Sequence, residues 1–373
     1  MMRRFMAAMM GTALFFTLTV SARAAEPSYS DLTGHWSQAE VEAAAQAGWV
    51  NGYPDGTFRP EVQVSRSEFV KLLLAAIRLT PDSDAADYLH QASQAAYHSV
   101  FLRDMETNWL TQAGWTRVAV EFGLIQEGDF PDGQFGPSIP LNRGEAAVLV
   151  ARALGLVNPA HENKESLSFA DAETISPELR GYVQEAVQAG VIRGLPDGTF
   201  GGSRPISRAE AVAMIGRAVA WMEEGVDPDI RAYVKEPNSE EAGQAFSLSV
   251  PAQVIDGTVY LPARDVIRSN AQLYGDALEG QTWDPAAQEL NVTLILPFRF
   301  RAGDIRYVGF GYEEINENAF TFPTNARLLY GEVMIPVYGP ETSSQTNLWP
   351  EVQWDETQET VTIFFYQRYS PMG

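Results

Sequence analysis

The chain has 373 residues, room for two or three domains, and no cysteine, which excludes a disulfide framework and a thiolate metal site. Its formal net charge of −22 argues against a general electrostatic grip on nucleic acid or on an anionic membrane. Holding an anionic polymer would take local basic pockets and shape.

Residues 1–24 read as a secretory signal, with Arg3 and Arg4, a mostly apolar run, and Ala22-Arg23-Ala24 as an A-x-A cleavage site. The run is too short for a permanent span. The mature chain is expected to be exported and free of the membrane.

Residues 30–80 are the first copy of a repeat. Asp31 leads to Trp36, then to a helix through Val41 that ends at Gly48, a glycine suited to a left-handed C-terminal position. Gly52-Tyr53 precede Pro54-Asp55-Gly56-Thr57-Phe58, a turn in which proline presets φ and glycine accepts φ > 0. Ser65-Arg66-Ser67-Glu68 then caps a helix running to about Leu79. The same turn and cap recur as Pro131 with Asn142-Arg143-Gly144-Glu145, and as Pro196 with Ser207-Arg208-Ala209-Glu210; the proline-to-arginine offset is 12 residues each time. One offset kept through three copies marks a duplication.

Residues 81–100 are inserted between copies and read as helical; residues 101–157 hold the second copy, with Asp104 and Trp109, and residues 166–222 the third, with Asp171. A single unit cannot bury its apolar faces, so the three are expected to pack about a shared core. Arg66, Arg143 and Arg208 each fall on the first helical residue, where a cation costs about 0.3–1 kcal/mol when exposed. Three cations there suggest that guanidinium group and helix end jointly face an anion. The residues alone allow two roles for Trp36 and Trp109, core or groove, and two for Asp31, Asp104 and Asp171, capping or groove. The Pro-Asp-Gly loops lack the alternating carboxylates of a calcium loop.

With these elements, residues 30–222 resemble the S-layer homology module. The resemblance implies an all-α pseudo-trimeric bundle of three repeats whose grooves bind secondary cell-wall polysaccharide, commonly through a pyruvate ketal on an amino sugar. It makes Arg66, Arg143 and Arg208 the carboxylate ligands. Asp31, Trp36, Gly52, Tyr53, Asp104, Trp109 and Asp171 become groove or scaffold residues. Ser176 stands at the tryptophan position of the third copy, and the second copy has a longer loop and Gly144 in its cap; one or two working grooves are therefore expected rather than three.

Residues 223–245 are acidic and broken by Pro228, Pro237 and Gly243, which reads as a linker with a short ordered piece around residues 230–234. Residues 246–373 alternate like strands, with Asp256-Gly257 as a hairpin turn. A weaker duplication appears: Val259-Tyr260-Leu261-Pro262 precedes Trp283-Asp284, and Val333-Met334-Ile335-Pro336 precedes Trp354-Asp355. This smaller α+β part, with a duplicated antiparallel strand unit, resembles the copper amine oxidase N-terminal-like domain. It contains no histidine, so neither a copper site nor a Ser-His-Asp arrangement within it is expected.

The expected protein is a multidomain anchor without catalytic residues, metal or cofactor, held on the cell surface by a pyruvylated wall glycan. Other surface proteins are further expected partners; nucleic acid is not. An S-layer subunit that assembles with itself and a wall-tethered hydrolase are the alternatives.

Overall fold

The computed structural model describes residues 28–83, 86–87, 90, 114–126, 129, 133–156, 167–235, 243–256, 258–274, 280–284, 289–293, 297–301, 306–309, 320–321, 327–330, 332–338, 351–355 and 360–364. The signal segment, Asp104, Trp109 and most of the 81–100 insertion lie outside these residues.

Helices come first along the chain: α1 (Gln38–Gln46), α2 (Arg66–Ala76), α3 (Trp115–Phe122), α4 (Arg143–Ala153), α5 (Pro177–Gln188) and α6 (Arg208–Met222). Helices α2, α4 and α6 each begin with a complete capping box, formed by Ser65 with Glu68, Asn142 with Glu145, and Ser207 with Glu210. In each box the cap side chain takes the third free N–H of the helix, and the glutamate returns to the cap amide.

The first two free N–H groups go elsewhere. Arg66 and Ser67 donate to the carbonyls of Ile139 and Pro137, Arg143 and Gly144 to those of Arg204 and Gly202, and Arg208 and Ala209 to those of Val62 and Pro60. Each of these three capped helix starts is thus closed by the loop before the next capped helix, in a cycle that returns to the beginning. A tighter cycle lies inside it. Leu141 N–H donates to Val64 O at 2.8 Å, Ile206 N–H to Leu141 O at 3.0 Å, and Val64 N–H to Ile206 O at 3.1 Å. All three side chains are buried, inside one core shared with Phe58, Phe69, Phe122 and Phe200.

The loops of the first and third copies are clamped from within. Asp31 accepts the amides of Phe58 and Arg59 at 2.8 and 2.7 Å, and Asp171 accepts those of Phe200 and Gly201 at 2.7 and 2.8 Å. Asp55 and Asp197 accept the amide and hydroxyl of the threonine two residues on.

Among the described residues the second half forms three sheets, which also hold β3 (Gln244–Phe246), β8 (Pro297–Arg301), β9 (Arg306–Gly309) and β10 (Phe320–Thr321). Strands β1 (Val226–Asp227), β4 (Ala252–Ile255), β5 (Thr258–Pro262), β12 (Glu332–Tyr338) and β11 (Arg327–Leu329) make the first, in that order. Here β4 and β5 form the expected hairpin, with Asp256 at φ 49°. The two copies of the Pro-ended motif are neighbours: Met334 faces Pro262 and Ile335 faces Leu261. Trp283 and Trp354 sit in two hairpins, β6 (Gly280–Asp284) with β7 (Glu289–Thr293) and β13 (Glu351–Asp355) with β14 (Thr360–Phe364). Helix α7 (Ala263–Tyr274) follows β5.

Part of the stretch read as a linker is strand, and the short ordered piece expected around residues 230–234 is one such strand. Strand β1 pairs antiparallel with β4, and β2 (Arg231–Lys235) pairs parallel with β14. Alternation in Ala232 and Val234, both buried, outweighs the acidic, proline-broken surroundings.

These sheets also close the C-terminal end of α6. Arg327 donates to Trp221 O at 2.7 Å and lies 4.0 Å from the centre of the Trp221 ring. Gln253 reaches the carbonyls of Met222 and Glu224. The Tyr330 hydroxyl donates to Glu223, which also pairs with Arg78, and the Arg78 guanidinium lies over the Tyr330 ring. A cation and an amide donor at the last carbonyls suit the negative end of the helix. Among the described residues no helix is long and apolar enough to cross a membrane.

Removing the Arg327 donor leaves Trp221 O without this partner, and a hydrogen bond from a charged group is worth about 1.5–3 kcal/mol. Arg327→Ala is therefore expected to lower the denaturant midpoint by that order; an unchanged midpoint would remove the joint from the stability account. Burial pulls the Asp31 and Asp171 carboxyls upward, but the amides they accept outweigh it and hold both below the ordinary aspartate value. Hydrogen bonds from Thr57 and Arg59 hold Asp55 at about 2, against 3.8 for the free side chain. Depressed folded values mean stability that is present above the unfolded value and lost as pH falls through the folded one. Thermal midpoints of the parent should fall as pH drops from about 4 toward 2. The Asp31→Asn, Asp171→Asn double variant should show a shallower acid fall; an acid limb parallel to the parent's would discount the clamps.

Candidate functional site

Each motif arginine sits at the start of its helix, as the repeat spacing requires, but its guanidinium group turns into the next loop. Arg66 donates to Phe135 O at 2.8 Å and, through two nitrogens, to both oxygens of Glu145. Its side chain is 16% exposed. Arg143 donates to Arg193 O and lies 5.5 Å from the centre of the Phe200 ring. Burial holds the Arg143 pKa below its usual value, with Arg204 and Arg217 adding to the fall and Glu210 opposing it. Arg208 donates to Phe58 O at 3.1 Å and Asn51 O at 3.2 Å, and packs over the Phe58 and Tyr53 rings.

The expectation was that these cations and the helix ends jointly face an anion. In the folded chain Arg143 and Arg208 face carbonyls, Arg66 faces a carbonyl and the chain's own Glu145 carboxylate, and the amides of the helix starts are taken by the neighbouring loops. The physical reason is the cycle. Each loop presents its carbonyl oxygens to the next helix start, and an arginine there offsets its unfavourable position by donating to them.

Gly52 and Tyr53 belong to the first loop. A Cβ on Gly52 would stand 2.1 Å from Tyr29 Cε1 and 2.8 Å from Thr57 O, so the position is closed to any side chain. Tyr53 carries the Arg59 guanidinium at 3.8 Å from its ring centre. Asp31 and Asp171 are loop clamps rather than helix caps. Asp104 and Trp109 lie outside the described residues.

Trp36 resolves differently from a core residue. It is 57% exposed, and it lines a groove of about 330 Å³ together with Glu61, Gln63, Arg204, Pro205, Ser207 and Glu210. First-copy residues form one wall and third-copy residues the other. On one side His35 bridges Ser37 and Glu61 at 2.9 and 3.0 Å. On the other, Arg204 holds Glu210 with both terminal nitrogens. That pairing raises the arginine's pKa, against the pull of burial. An exposed indole beside fixed polar groups can receive a ring with one apolar face and polar edges.

Arg204 was not singled out from the sequence, although a signal was present. It stands four residues before Arg208, where the other copies carry Val62 and Ile139. Aligning the copies on their arginines isolates it as a cation in place of two aliphatic residues.

Residues 28–70 and 168–212 match the S-layer homology domain family. The chain is 30% identical over 205 residues to Cell surface glycoprotein 1 of Acetivibrio thermocellus, a stretch that is 52% of this chain and 8% of that protein. It is 28% identical over 184 residues to the Cellulosome-anchoring protein of the same organism, 46% of this chain and 36% of that one. The Surface-layer 125 kDa protein of Lysinibacillus sphaericus is 26% identical over 224 residues, 58% of this chain and 17% of that one. The aligned stretches thus span between 8% and 36% of these relatives' own lengths. The matched segments include Arg66 and Arg208 but not Arg143, whose place in the cycle comes from the fold. This chain therefore carries S-layer homology domain sequence in two segments, residues 28–70 and 168–212.

Proposed function

We propose that this chain is an exported protein held non-covalently on the bacterial cell wall. In this reading its three repeats form the pseudo-trimeric bundle of the S-layer homology family and bind secondary cell-wall polysaccharide, with the pyruvylated glycan as the preferred form. The observation that carries the proposal is the Trp36 groove, set across the boundary between two segments that match the S-layer homology domain.

A groove of about 330 Å³ is at the small end of ligand sites, which run roughly 300–1,000 Å³. That suits the end of a glycan rather than a long stretch of it. Trp36 supplies a stacking face, while Gln63, Ser207 and the Arg204–Glu210 pair supply polar contacts. Arg66, Arg143 and Arg208 act on the glycan through the loops they hold. The second half, read by resemblance as a copper amine oxidase N-terminal-like domain, is displayed by this anchor.

A second reading, a lattice subunit, draws support from the likeness to the Surface-layer 125 kDa protein. Ordered arrays formed by the purified protein without wall would favour it. A hydrolase reading draws only on relatives such as the Amylopullulanase of Thermoanaerobacterium thermosulfurigenes, of which the alignment covers 9%.

Truncating an aromatic anchor at the centre of a binding site costs about 2 kcal/mol or more, roughly thirty-fold in affinity. Sedimentation with purified wall should therefore show Trp36→Ala and Arg204→Ala binding at least that much more weakly than the parent, with unchanged thermal midpoints. Parent binding should also weaken when pyruvate groups are stripped from the wall. Retention of both variants at the parent's level would overturn the groove assignment.

A further inference from the structure

Arg59 has positive φ, 61°, a backbone region that side chains other than glycine rarely occupy. The equivalent residues of the other two copies are glycines, Gly136 at φ 62° and Gly201 at φ 70°. The backbone does not need an arginine there. Arg59 and Gly201 donate the equivalent amide to the equivalent clamping aspartates, Asp31 and Asp171, at 2.7 and 2.8 Å. The strain at Arg59 is therefore retained for its side chain, and a retained outlier is a pointer to function.

A second residue changes with it. Tyr53 in the first loop corresponds to Leu195 in the third, where a Cβ on Gly201 would stand 2.9 Å from Leu195 Cδ1. In the first loop the aromatic ring leaves room and receives two cations, Arg59 at 3.8 Å and Arg208 at 5.2 Å from its centre. The Arg59 guanidinium is also paired with Asp55 at 2.9 Å, with both side chains about half exposed. The pair helps hold the Asp55 carboxyl low, yet both side chains stay open to solvent, which screens it. Asp31, the other nearby carboxylate, is occupied by two backbone amides. Two residues further along the loop, Glu61 lines the Trp36 groove.

We propose that Arg59 is the specificity-determining residue of the first loop. Its guanidinium exchanges Asp55 for the carboxylate of an acidic sugar, while the Tyr53 ring keeps it in place. This rests on the wall-glycan reading above and adds which loop selects the acid. Arg59, rather than the buried motif arginines, meets the ligand, and the third loop, with Gly201 and Leu195, makes no such selection.

Calorimetry on the full mature chain with a pyruvate-ketal amino sugar, and with the same sugar lacking the ketal, tests it. The parent should prefer the acidic sugar by ~10-fold or more. Arg59→Gly, the residue the other two loops carry, should bind the two sugars almost equally with a thermal midpoint equal to or above the parent's, because the backbone strain is relieved. Arg59→Lys keeps the charge and should retain a preference. Parent-like selectivity in Arg59→Gly overturns the assignment and leaves the anchoring reading standing. Loss of preference in both variants with lowered midpoints overturns it in favour of a loop-holding role. A parent that binds neither sugar overturns the anchoring reading and this inference together.

Discussion

Three backbone hydrogen bonds, passed in a circle among Val64, Leu141 and Ile206, hold the first half of the molecule together. None can form within one copy of the repeat. Each residue donates to one neighbouring copy and accepts from the other, so removing any copy orphans a donor and an acceptor in the core. Buried backbone groups left without partners are costly, which makes the three copies one folding unit. The outer cycle, from each helix start to the loop before the next capped helix, applies the same rule a few ångströms away.

That closure changes what the repeated arginine does. A helix start with open amides and a cation beside it is a ready site for an anion. Here the amides are closed by protein carbonyls and the cations by carbonyls, aromatic rings and, for Arg66, the capping glutamate of the second copy. A capping carboxylate thus serves two helices: Glu145 closes its own cap and receives Arg66 from another copy. What remains for a ligand is the outer surface of the loops, where the copies differ most. Val62, Ile139 and Arg204 stand at one rim position, and Arg59, Gly136 and Gly201 at another.

Much of this was legible in the residues because the signals are local. Capping boxes, the C-terminal glycine of α1, and the Asp256 hairpin depend on neighbours in sequence, and each appears where its pattern predicts. The neighbouring positions of Val259–Pro262 and Val333–Pro336 in one sheet give the second duplication a structural sense. What sequence could not supply was direction. Nothing in Ser65-Arg66-Ser67-Glu68 says whether the arginine turns out to solvent or across to a loop 70 residues away, because the deciding carbonyls belong to another copy. The ordered piece around residues 230–234 was legible but its pairing as β2 was not, since its partner β14 lies more than 100 residues later. The groove beside Trp36 was likewise out of reach, since Arg204 and Pro205 on its other side belong to the third copy.

The way the sheets sit on the end of α6 has a mechanical meaning. Arg327, Gln253 and Tyr330 grip the last turn of a helix whose first turn is part of the backbone cycle. A pull on the second half is therefore delivered along this helix into the centre of the first, with the Arg78–Tyr330 contact beside it. The two halves behave less like beads on a string than like a blade and its tang, and whatever the blade meets is presented at one angle.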